Sequence, residues 1–456
     1  MRYRTRRWSY VIILLLWVTT LSKAEGWKAG VAKVNITPRQ PMWQAGYAAR
    51  THASEVTLHD LWAKAVALED EKGNRAVLVT TDLLGIPKAV SDRVRAELQK
   101  SLNLSKAQII LNSSHTHSGP VLSNALVDIY PLDAAEQAKI DTYTQTLETQ
   151  LVQLVQQAFR NLEPALLSAA NGVTRFQVNR RNNREANLLN QSELRGPNDF
   201  AVPVLKIADA SGKIKALVFG YACHNTVLDQ YLFSGDYAGF AQLELERAYP
   251  DATALYFQGA GADQNPMPRR TVPLAQQFGR ELTAAVLRVL QEPMPQLSPQ
   301  LAAAYSEIDL KLSPPPTAKE LTKIINQSEP YQQRWARRML AQQQDGLPFP
   351  TSYPYPVQVW RLGNQALFSL GGELVVEYAL EIKKRYGPEA FVLGYSNDVM
   401  AYIPSETILK EGGYEGASSQ MVYGLPAPWQ PGLQEQILSE VEKLGQQLGL
   451  NMKYKR

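Results

Sequence analysis

Cysteine is almost absent from this chain. Cys223 is the only cysteine among 456 residues, so an internal disulfide bond is excluded and packing must stabilise the fold. In the stretch FGYACHNT the composition favours a small buried side chain at this position, and a catalytic thiol is the alternative. Histidine is also scarce, with five in the whole chain, so two histidines close together form an unusual feature.

Long apolar runs are missing after the N-terminus. The first residues are basic (MRYRTRR), an apolar run follows (WSYVIILLLWVTTL), and small residues stand at Ser22 and Ala24. This order is typical of a secretory signal peptide over residues 1–24 that is cleaved after Ala24, with an uncleaved anchor as the alternative. We therefore expect the mature protein to be secreted or periplasmic.

No excess of one charge remains once that segment is removed. Residues 1–24 carry five basic side chains and no acidic one, so the formal net charge falls from +4 to −1 without them. The basic patch that nucleic-acid binding requires is then missing. We expect no nucleic-acid partner, and the sequence gives no sign of an obligate protein partner.

Strand and helix patterns alternate irregularly along the rest of the chain. Pairs of β-rich runs around polar turns predict hairpins near residues 61–85, 202–226 and 357–373. Apolar residues at helical spacing predict a long amphipathic helix over 133–162. We predict an α/β (mixed α+β) fold, in which residues 25–456 form a single large domain with mixed β-sheets flanked by helices.

A proline-rich segment over residues 314–356 interrupts this pattern. Its stretches SPPPTAKE and GLPFPTSYPYP flank a Gln- and Arg-rich helix near 330–345. We interpret the segment as an insertion or lid that caps a site and sets its specificity. Tyr353 and Tyr355 are its candidates for packing against a lipid or stacking on a sugar.

Histidines follow two of the predicted strands. His115 and His117 lie in SSHTHSGP, and in an extended chain both side chains project to the same side. Either the two imidazoles share one metal ion, or one binds the ion while the other transfers protons, or both are solvated loop residues. His224 follows a second apolar strand in YACHNT, where a structural hydrogen bond is an equally good explanation.

Two further loops carry a carboxylate and two tyrosines. Glu373 follows Gly371 and Gly372 where an apolar strand ends and a helix begins, so it either stabilises the helix dipole or uses the space beside the glycines. Tyr402 and Tyr414 follow later, and buried core tyrosines are the alternative interpretation. Zinc binds three or four nitrogen and oxygen ligands, so these side chains together are a suitable mixed set.

Seven sequence blocks resemble, in order, the neutral/alkaline (non-lysosomal) ceramidase family, specifically its N-terminal catalytic domain. The blocks are GVAKVNITP, HDLWAKAVAL, SSHTHSGP, VNRR, ACHNT with SGDYAG, GGEL, and YSNDVMAYIPSE with YEGASS. The resemblance runs from about residue 27 to the end of the chain. The histidine block and the YEGASS block are its most specific parts.

The resemblance implies a zinc amidase that cleaves the amide bond between a sphingoid base and a fatty acid. It implies that Zn²⁺ is held by His115, His224, Glu373 and Tyr402. It also implies that His117 lies beside the metal ion and that Arg180 and Tyr414 assist the reaction at the scissile carbonyl.

The sequence departs from the family in one motif. Where the family has Gly-Asp-Val-Ser-Pro-Asn, with a serine of assigned catalytic role, this chain reads GAGADQNPMPR and has Gln264 at the serine position. Since a glutamine cannot act as a nucleophile, we expect a zinc-bound water to attack the carbonyl and Gln264 to hydrogen-bond the substrate. We do not expect the C-terminal immunoglobulin-like domain that the family carries.

The expected mechanism gives each residue one role. His117 acts as general base and then as general acid, Arg180 and Tyr414 stabilise the oxyanion, and Asp236 orients a ligand histidine. The sequence thus predicts a secreted zinc hydrolase of an N-acyl amide bond in a small-molecule or lipid-like substrate, with a membrane-surface substrate included. The alternatives are a zinc esterase or deacylase on another exported substrate, such as an acylated carbohydrate, and a metal-retaining binding protein without turnover.

Overall fold

The fold is a mixed α/β arrangement of several sheets and helices, and the computed structural model describes residues 26–453. The predicted signal peptide lies outside the described residues. The strands are β1 (Trp27–Asn35), β2 (Val56–Thr57), β3 (Trp62–Glu69), β4 (Arg75–Thr81), β5 (Ile109–Ser113), β6 (Glu163–Val173), β7 (Gln177–Asn179), β8 (Ala201–Asp209), β9 (Ile214–Tyr221), β10 (Leu232–Phe233), β11 (Thr253–Gln258), β12 (Gln264–Pro266), β13 (Leu301–Lys311), β14 (Ser352–Leu362), β15 (Gln365–Leu370), β16 (Glu373–Leu374), β17 (Phe391–Leu393) and β18 (Tyr402–Ile403).

Helices of varied length cover these sheets. The α-helices are α1 (Lys88–Leu102), α2 (Ala134–Arg160), α3 (Asp236–Ala248), α4 (Val272–Gln291), α5 (Ala318–Gln327), α6 (Pro330–Gln344), α7 (Val376–Tyr386), α8 (Glu406–Glu411), α9 (Gly413–Gly416) and α10 (Leu433–Gln447). Short 3-10 helices lie at Lys106–Gln108, Glu185–Asn190 and Ser418–Met421. None of the helices within residues 26–453 has both the length and the apolar character needed to span a bilayer.

The largest sheet has eight strands in the order β11-β9-β8-β6-β1-β3-β4-β5. Its inner strands pair antiparallel, whereas the edge pairs β9–β11 and β4–β5 are parallel. The ends of the two edge strands β5 and β11 meet, because the Asn112 side chain accepts from the Gln258 main-chain N–H at 2.9 Å. The loops that follow β5, β9 and β11 therefore share one region of the molecule.

A second sheet supplies the opposite side of that region. Its strands lie in the order β13-β14-β15-β17, and the last pair is parallel. After β15 and β17 the chain forms the small parallel pair β16–β18, in which Glu373 is directly opposite Tyr402. Two distant parts of the sequence are thereby brought side by side.

The predicted fold class is confirmed, and so are several of its elements. The three hairpins form as β3–β4, β8–β9 and β14–β15, each an antiparallel pair. Helix α2 buries the predicted stripe of Ile140, Leu147, Leu151 and Leu154 in the same apolar cluster as β3 and β4 residues. Tyr143, on that stripe, is partly buried and donates a hydrogen bond to Ile36 O at 2.6 Å.

The proline-rich segment forms a helix pair before it enters β14. Helix α6 confirms the predicted helix near 330–345, and α5 packs against it around a small apolar cluster that includes Leu321 and Trp335. Tyr355 is fully buried in β14 and donates to Gly371 O at 3.0 Å. The expectation that Tyr355 contacts a substrate was therefore wrong.

Candidate metal centre

His115 follows β5 in a backbone conformation that is uncommon outside glycine, with a φ of 61°. Its main-chain N–H donates to Leu83 O at 2.9 Å, and its Nδ1 lies 2.7 Å from Leu84 O. Because a carbonyl oxygen only accepts hydrogen bonds, Nδ1 must carry the proton. In this tautomer Nε2 is the nitrogen available to a metal ion, which is the arrangement of a metal-binding histidine.

His224 repeats this arrangement after β9. Its main-chain N–H donates to Gln264 O at 3.0 Å, and its Nδ1 lies 2.8 Å from Gly261 O. Burial, together with the positive charge of Arg180, lowers the pKa of His224 to about 4, so the ring is neutral near pH 7. A side chain at Gly261 would place its Cβ 2.5 Å from the Cys223 main-chain nitrogen, so this close approach requires glycine.

Glu373 and Tyr402 complete the group from the second sheet. The Oε2 atom of Glu373 lies 3.2 Å from Nε2 of His115 and 3.2 Å from Nε2 of His224. The Tyr402 hydroxyl lies 3.4 Å from Nε2 of His224. Glu373 belongs to the short strand β16, and the helix predicted after it forms as α7, which begins at Val376.

These four residues fit a zinc ion. In a tetrahedral zinc site with ligand bonds of about 2.0–2.1 Å, two ligand atoms are about 3.3 Å apart. The observed separations of 3.2 to 3.4 Å match that value. When both imidazoles are neutral, two nitrogen lone pairs face one buried carboxylate oxygen, and a metal cation among the three atoms would remove this repulsion.

His117 is the third imidazole of the cluster. One ring nitrogen from each of His115, His117 and His224 lies within 4.8 Å of the other two, and Nε2 of His117 is 3.2 Å from Nε2 of His115. Its Nδ1 is buried without a hydrogen-bond partner among the described residues. Burial and the neighbouring histidines lower the pKa of His117 well below its usual value. The geometry is compatible with both proton transfer and metal binding.

Arg180 and Tyr414 both lie next to Tyr402 and close to each other. Arg180 donates to the Tyr402 hydroxyl at 3.1 Å and to Glu415 Oε1 at 2.8 Å. Its guanidinium lies 5.6 Å from the ring of Tyr402 and 5.8 Å from the ring of Tyr414. The Tyr414 ring is 42% exposed and lines the cavity over the histidines. Arg180 does not line that cavity but lies behind Tyr402.

Two sequence-predicted residues are not brought into this group. Gln264 is fully buried in β12, and its side-chain amide donates to Pro197 O at 3.2 Å, away from the cavity lining. Asp236 accepts hydrogen bonds from the main-chain N–H groups of Leu228 and Tyr237. The histidines use carbonyl oxygens instead, so the expectation that Asp236 orients a ligand histidine was wrong.

Three tyrosines of the site were missed in the sequence. The Tyr423 hydroxyl donates to Oε1 of Glu373, and the Tyr395 hydroxyl donates to Oε2 of Glu373 at 3.4 Å. Tyr331, which belongs to α6, also lines the cavity. Tyr395 stands in the recognised block YSNDVMAYIPSE, which was the available signal, whereas Tyr331 and Tyr423 stand in stretches without a motif.

A cavity of about 200 Å³ gives access to these side chains. Polar groups lie at its histidine end and apolar side chains form much of the rest. It is lined by Gly46, Ala48, Leu84, His115, His117, Leu126, Ile129, Tyr331, Glu373, Tyr402, Tyr414, Val422 and Tyr423.

The Gly46→Ala substitution should displace His117 and lower activity. A Cβ at Gly46 would lie 2.4 Å from Cγ of the His117 ring, so the ring has to move. Since a misplacement of about 1 Å can cost about 100-fold in rate, we expect kcat/KM to fall at least about tenfold while zinc binding persists. Steady-state kinetics and zinc content measure the two effects.

The matched control for this variant is Gly73→Ala. Gly73 also has a positive φ, of 84°, but nothing lies within 4 Å of the position that a Cβ would occupy there. Both substitutions therefore add a similar backbone strain, and only Gly46→Ala touches the site. Equal activity in the two variants would contradict the packing of His117 described above.

The chain matches the family model described as neutral/alkaline non-lysosomal ceramidase, N-terminal, over residues 27–281. Among curated relatives, neutral ceramidase B of Dictyostelium discoideum is 29% identical over 199 residues, which are 41% of this chain and 26% of that protein. Neutral ceramidase of Drosophila melanogaster is 26% identical over 237 residues, which are 49% of this chain and 32% of that protein. The match thus spans about a third or less of each relative.

The fold is similar to that of a solved structure. The crystal structure of neutral ceramidase from Pseudomonas aeruginosa superposes with a TM-score of 0.72 at 19% identity, covering 94% of this chain and 76% of that one. The similarity extends over both sheets that meet at the histidine cluster, so it concerns the whole described fold.

Proposed function

The chain belongs to the neutral/alkaline non-lysosomal ceramidase family, and we propose that it is a zinc-dependent hydrolase of N-acyl amide bonds. The observation that carries the proposal is the convergence of the Nε2 atoms of His115 and His224 on one buried carboxylate oxygen of Glu373, each at 3.2 Å. His115, His224, Glu373 and Tyr402 would hold a zinc ion there, and the ion would supply Lewis-acid chemistry for activating a carbonyl group and a water molecule. Family membership and the donor set both support this choice of metal.

His117 is the proposed general base and acid. It lines the cavity, it is neutral because of burial, and its Nδ1 has no other partner among the described residues. It removes a proton from the attacking water and returns one to the leaving nitrogen. Arg50 holds the loop in place by donating to the His117 main-chain oxygen at 2.9 Å.

The oxyanion is stabilised from the tyrosine side of the cavity. Tyr414 lies at the opening and is free to donate its phenol hydrogen to the developing negative charge. Arg180 contributes its positive charge from behind Tyr402, whose hydroxyl it also holds. Gln264 is not assigned to the substrate, since its side chain bonds Pro197, and its main-chain oxygen fixes His224 instead.

The proposed substrate is a small or lipid-like N-acyl compound, including one presented at a membrane surface. The apolar cavity residues Leu126, Ile129 and Val422 support an aliphatic group next to the scissile bond. The signal-peptide pattern of residues 1–24 supports export to the periplasm or the medium.

Removal of zinc should abolish turnover. We expect a chelator such as 1,10-phenanthroline to stop the hydrolysis of N-acyl amines, and one equivalent of Zn²⁺ to restore it, because the chain offers no serine at the motif position. Chromatographic quantification of the released acid and amine measures the effect. A parallel set of O-acyl substrates, including acylated sugars, tests the bond type.

Three outcomes would contradict parts of the proposal. Turnover that survives in zinc-free protein would exclude zinc dependence. Turnover confined to O-acyl substrates would identify an esterase. Stoichiometric zinc without turnover on either set would identify a metal-retaining binding protein.

A further inference from the structure

Two loop segments form opposing walls beside the metal centre. We call residues 122–129 the first wall and residues 421–425 the second wall. The first wall lines the metal cavity with Leu126 and Ile129, and the second wall lines it with Val422 and Tyr423. Neither wall belongs to a β-sheet, so other contacts must hold the two walls in position.

The same two walls continue into an adjoining chamber of about 290 Å³. The chamber and the metal cavity share Leu84, Leu126 and Tyr423 in their linings. Most of the other chamber residues are apolar, among them Leu122 and Leu425, and the charged residues Lys88 and Asp398 also line the chamber. An apolar cavity of about 150 Å³ holds one benzene molecule, so this chamber has room for roughly ten carbon atoms.

Helix α6 holds both walls from behind. Arg334 donates to the main-chain oxygens of Asp128 at 2.9 Å and Ile129 at 2.5 Å, which fixes the first wall. Trp335 donates its indole N–H to Leu425 O at 3.0 Å, which fixes the second.

Arg338 is the residue that joins the two walls. Its Nε lies 3.0 Å and 3.1 Å from the two carboxylate oxygens of Asp128, and its Nη2 donates to Asp128 Oδ2 at 2.5 Å. The same Nη2 donates to Gly424 O at 3.1 Å. Asp128 is 4% exposed, and its buried carboxylate is paired with two nitrogen atoms of the Arg338 guanidinium. Gly424 has a φ of 75°, and a Cβ there would lie 2.9 Å from Arg338 Nη2.

We propose that the chamber binds the aliphatic arm of the substrate and that Arg338, by fixing the distance between the two walls, determines how long an arm is accepted. The inference rests on the proposed function, since it names the part of an N-acyl substrate that lies next to the scissile bond. Arg338 touches neither the cavity nor the metal ligands and is therefore a positioning residue. Its removal separates the walls and leaves Asp128 unpaired.

The test uses binding of product analogues, which does not depend on turnover. Dissociation constants of acetate, butanoate, hexanoate and octanoate are measured by calorimetry on the zinc-loaded full chain. If the aliphatic arm enters the apolar chamber, each added methylene group should tighten binding about fourfold. The slope of affinity against chain length is the readout, and a general loss of stability would not reproduce it.

Two substitutions act on the chamber in different ways. Ala125→Phe fills it, because Ala125 lines the chamber but not the metal cavity, and should abolish the slope. Arg338→Ala should reduce the slope to less than half while zinc affinity changes by no more than about twofold, since Trp335 still holds the second wall. Arg338→Lys keeps the positive charge but lacks the several N–H donors of the guanidinium, so the slope of affinity against chain length should be intermediate in this variant.

Each substitution has a matched control: Arg337→Ala lies on the same helix as Arg338→Ala, and Ala303→Phe makes the same replacement as Ala125→Phe. Arg337→Ala removes an exposed arginine of α6 that bonds only Gln333 among the hydrogen bonds of the described residues. Ala303→Phe adds the same ring in β13, outside both linings. Both variants should retain the full slope. Thermal denaturation of every variant shows which proteins are folded. If Arg338→Ala does not fold, Arg338→Lys still tests the role of Arg338.

The outcomes separate this inference from the proposed function. A flat slope in the wild-type chain, or an equal slope in all variants, would overturn the role of the chamber and of Arg338 even if the zinc enzyme is confirmed. Conversely, absence of zinc-dependent turnover together with a slope that Ala125→Phe abolishes would overturn the proposed reaction and support the chamber.

Discussion

Replacing His115 with asparagine is expected to abolish both zinc binding and hydrolysis. Asparagine tolerates the left-handed backbone at this position better than alanine does, so the fold should persist. The amide lacks the Nε2 lone pair that faces Glu373 at 3.2 Å. We expect kcat/KM to fall by at least about a thousandfold, because the whole Lewis-acid contribution disappears with the metal ion.

The measurement pairs zinc content with kinetics. Zinc is quantified in the purified variant after loading, and turnover is measured on the best N-acyl substrate. His52→Ala is the control, because His52 is an exposed histidine that bonds Glu55 on the surface. A fully active His115→Asn protein would remove His115 from the metal site and would contradict the proposed mechanism.

Replacing His117 with alanine should separate catalysis from metal binding. If His117 transfers protons, its loss should lower kcat by about 10²–10⁴-fold, the usual contribution of a general acid–base residue. Zinc should remain stoichiometric, because His115, His224, Glu373 and Tyr402 still provide four ligands. Single-turnover kinetics and zinc titration check the two parts.

The opposite result has a defined meaning. Nε2 of His117 lies 3.2 Å from Nε2 of His115, so His117 is close enough to bind the metal ion itself. If zinc is lost in His117→Ala to the same extent as in His115→Asn, His117 is a ligand, and the general base must be sought elsewhere in the cavity.

Local patterns were sufficient to predict the hairpins and the long helix. The β3–β4, β8–β9 and β14–β15 turns contain the polar residues that such turns require, and α2 has an unbroken apolar stripe. Helix α3 was missed, since its buried face includes the small residues Ala238, Gly239 and Ala241, which add little to a hydrophobic pattern.

The sequence was sufficient to propose the residues of the candidate metal centre, but the contacts around these residues could not be predicted. The two proposed histidine ligands follow strands β5 and β9, and the parallel pair β16–β18 aligns Glu373 with Tyr402. The hydrogen bonds of Tyr423 to Glu373 and of Arg338 to Asp128 join residues that are far apart in sequence and have no motif. Only the folded chain shows such contacts.

Gln264 shows the limit of reading a role from alignment. Its position corresponds to the family serine, yet its side chain bonds Pro197 and only its main-chain oxygen reaches His224. The direction of a side chain depends on the local backbone, which the residue type does not determine. The prediction for Asp236 was wrong for the same reason. Its φ of 56° is left-handed, and its carboxylate accepts from the main-chain N–H groups of Leu228 and Tyr237.

Anomalous diffraction at the zinc edge, from crystals of the zinc-loaded chain, examines the metal centre directly. The predicted result is a single strong peak about 2.0–2.2 Å from Nε2 of His115, Nε2 of His224, a Glu373 oxygen and the Tyr402 oxygen. A difference map without a peak there, or a peak bound by other residues, would contradict the zinc site from which the proposed reaction follows.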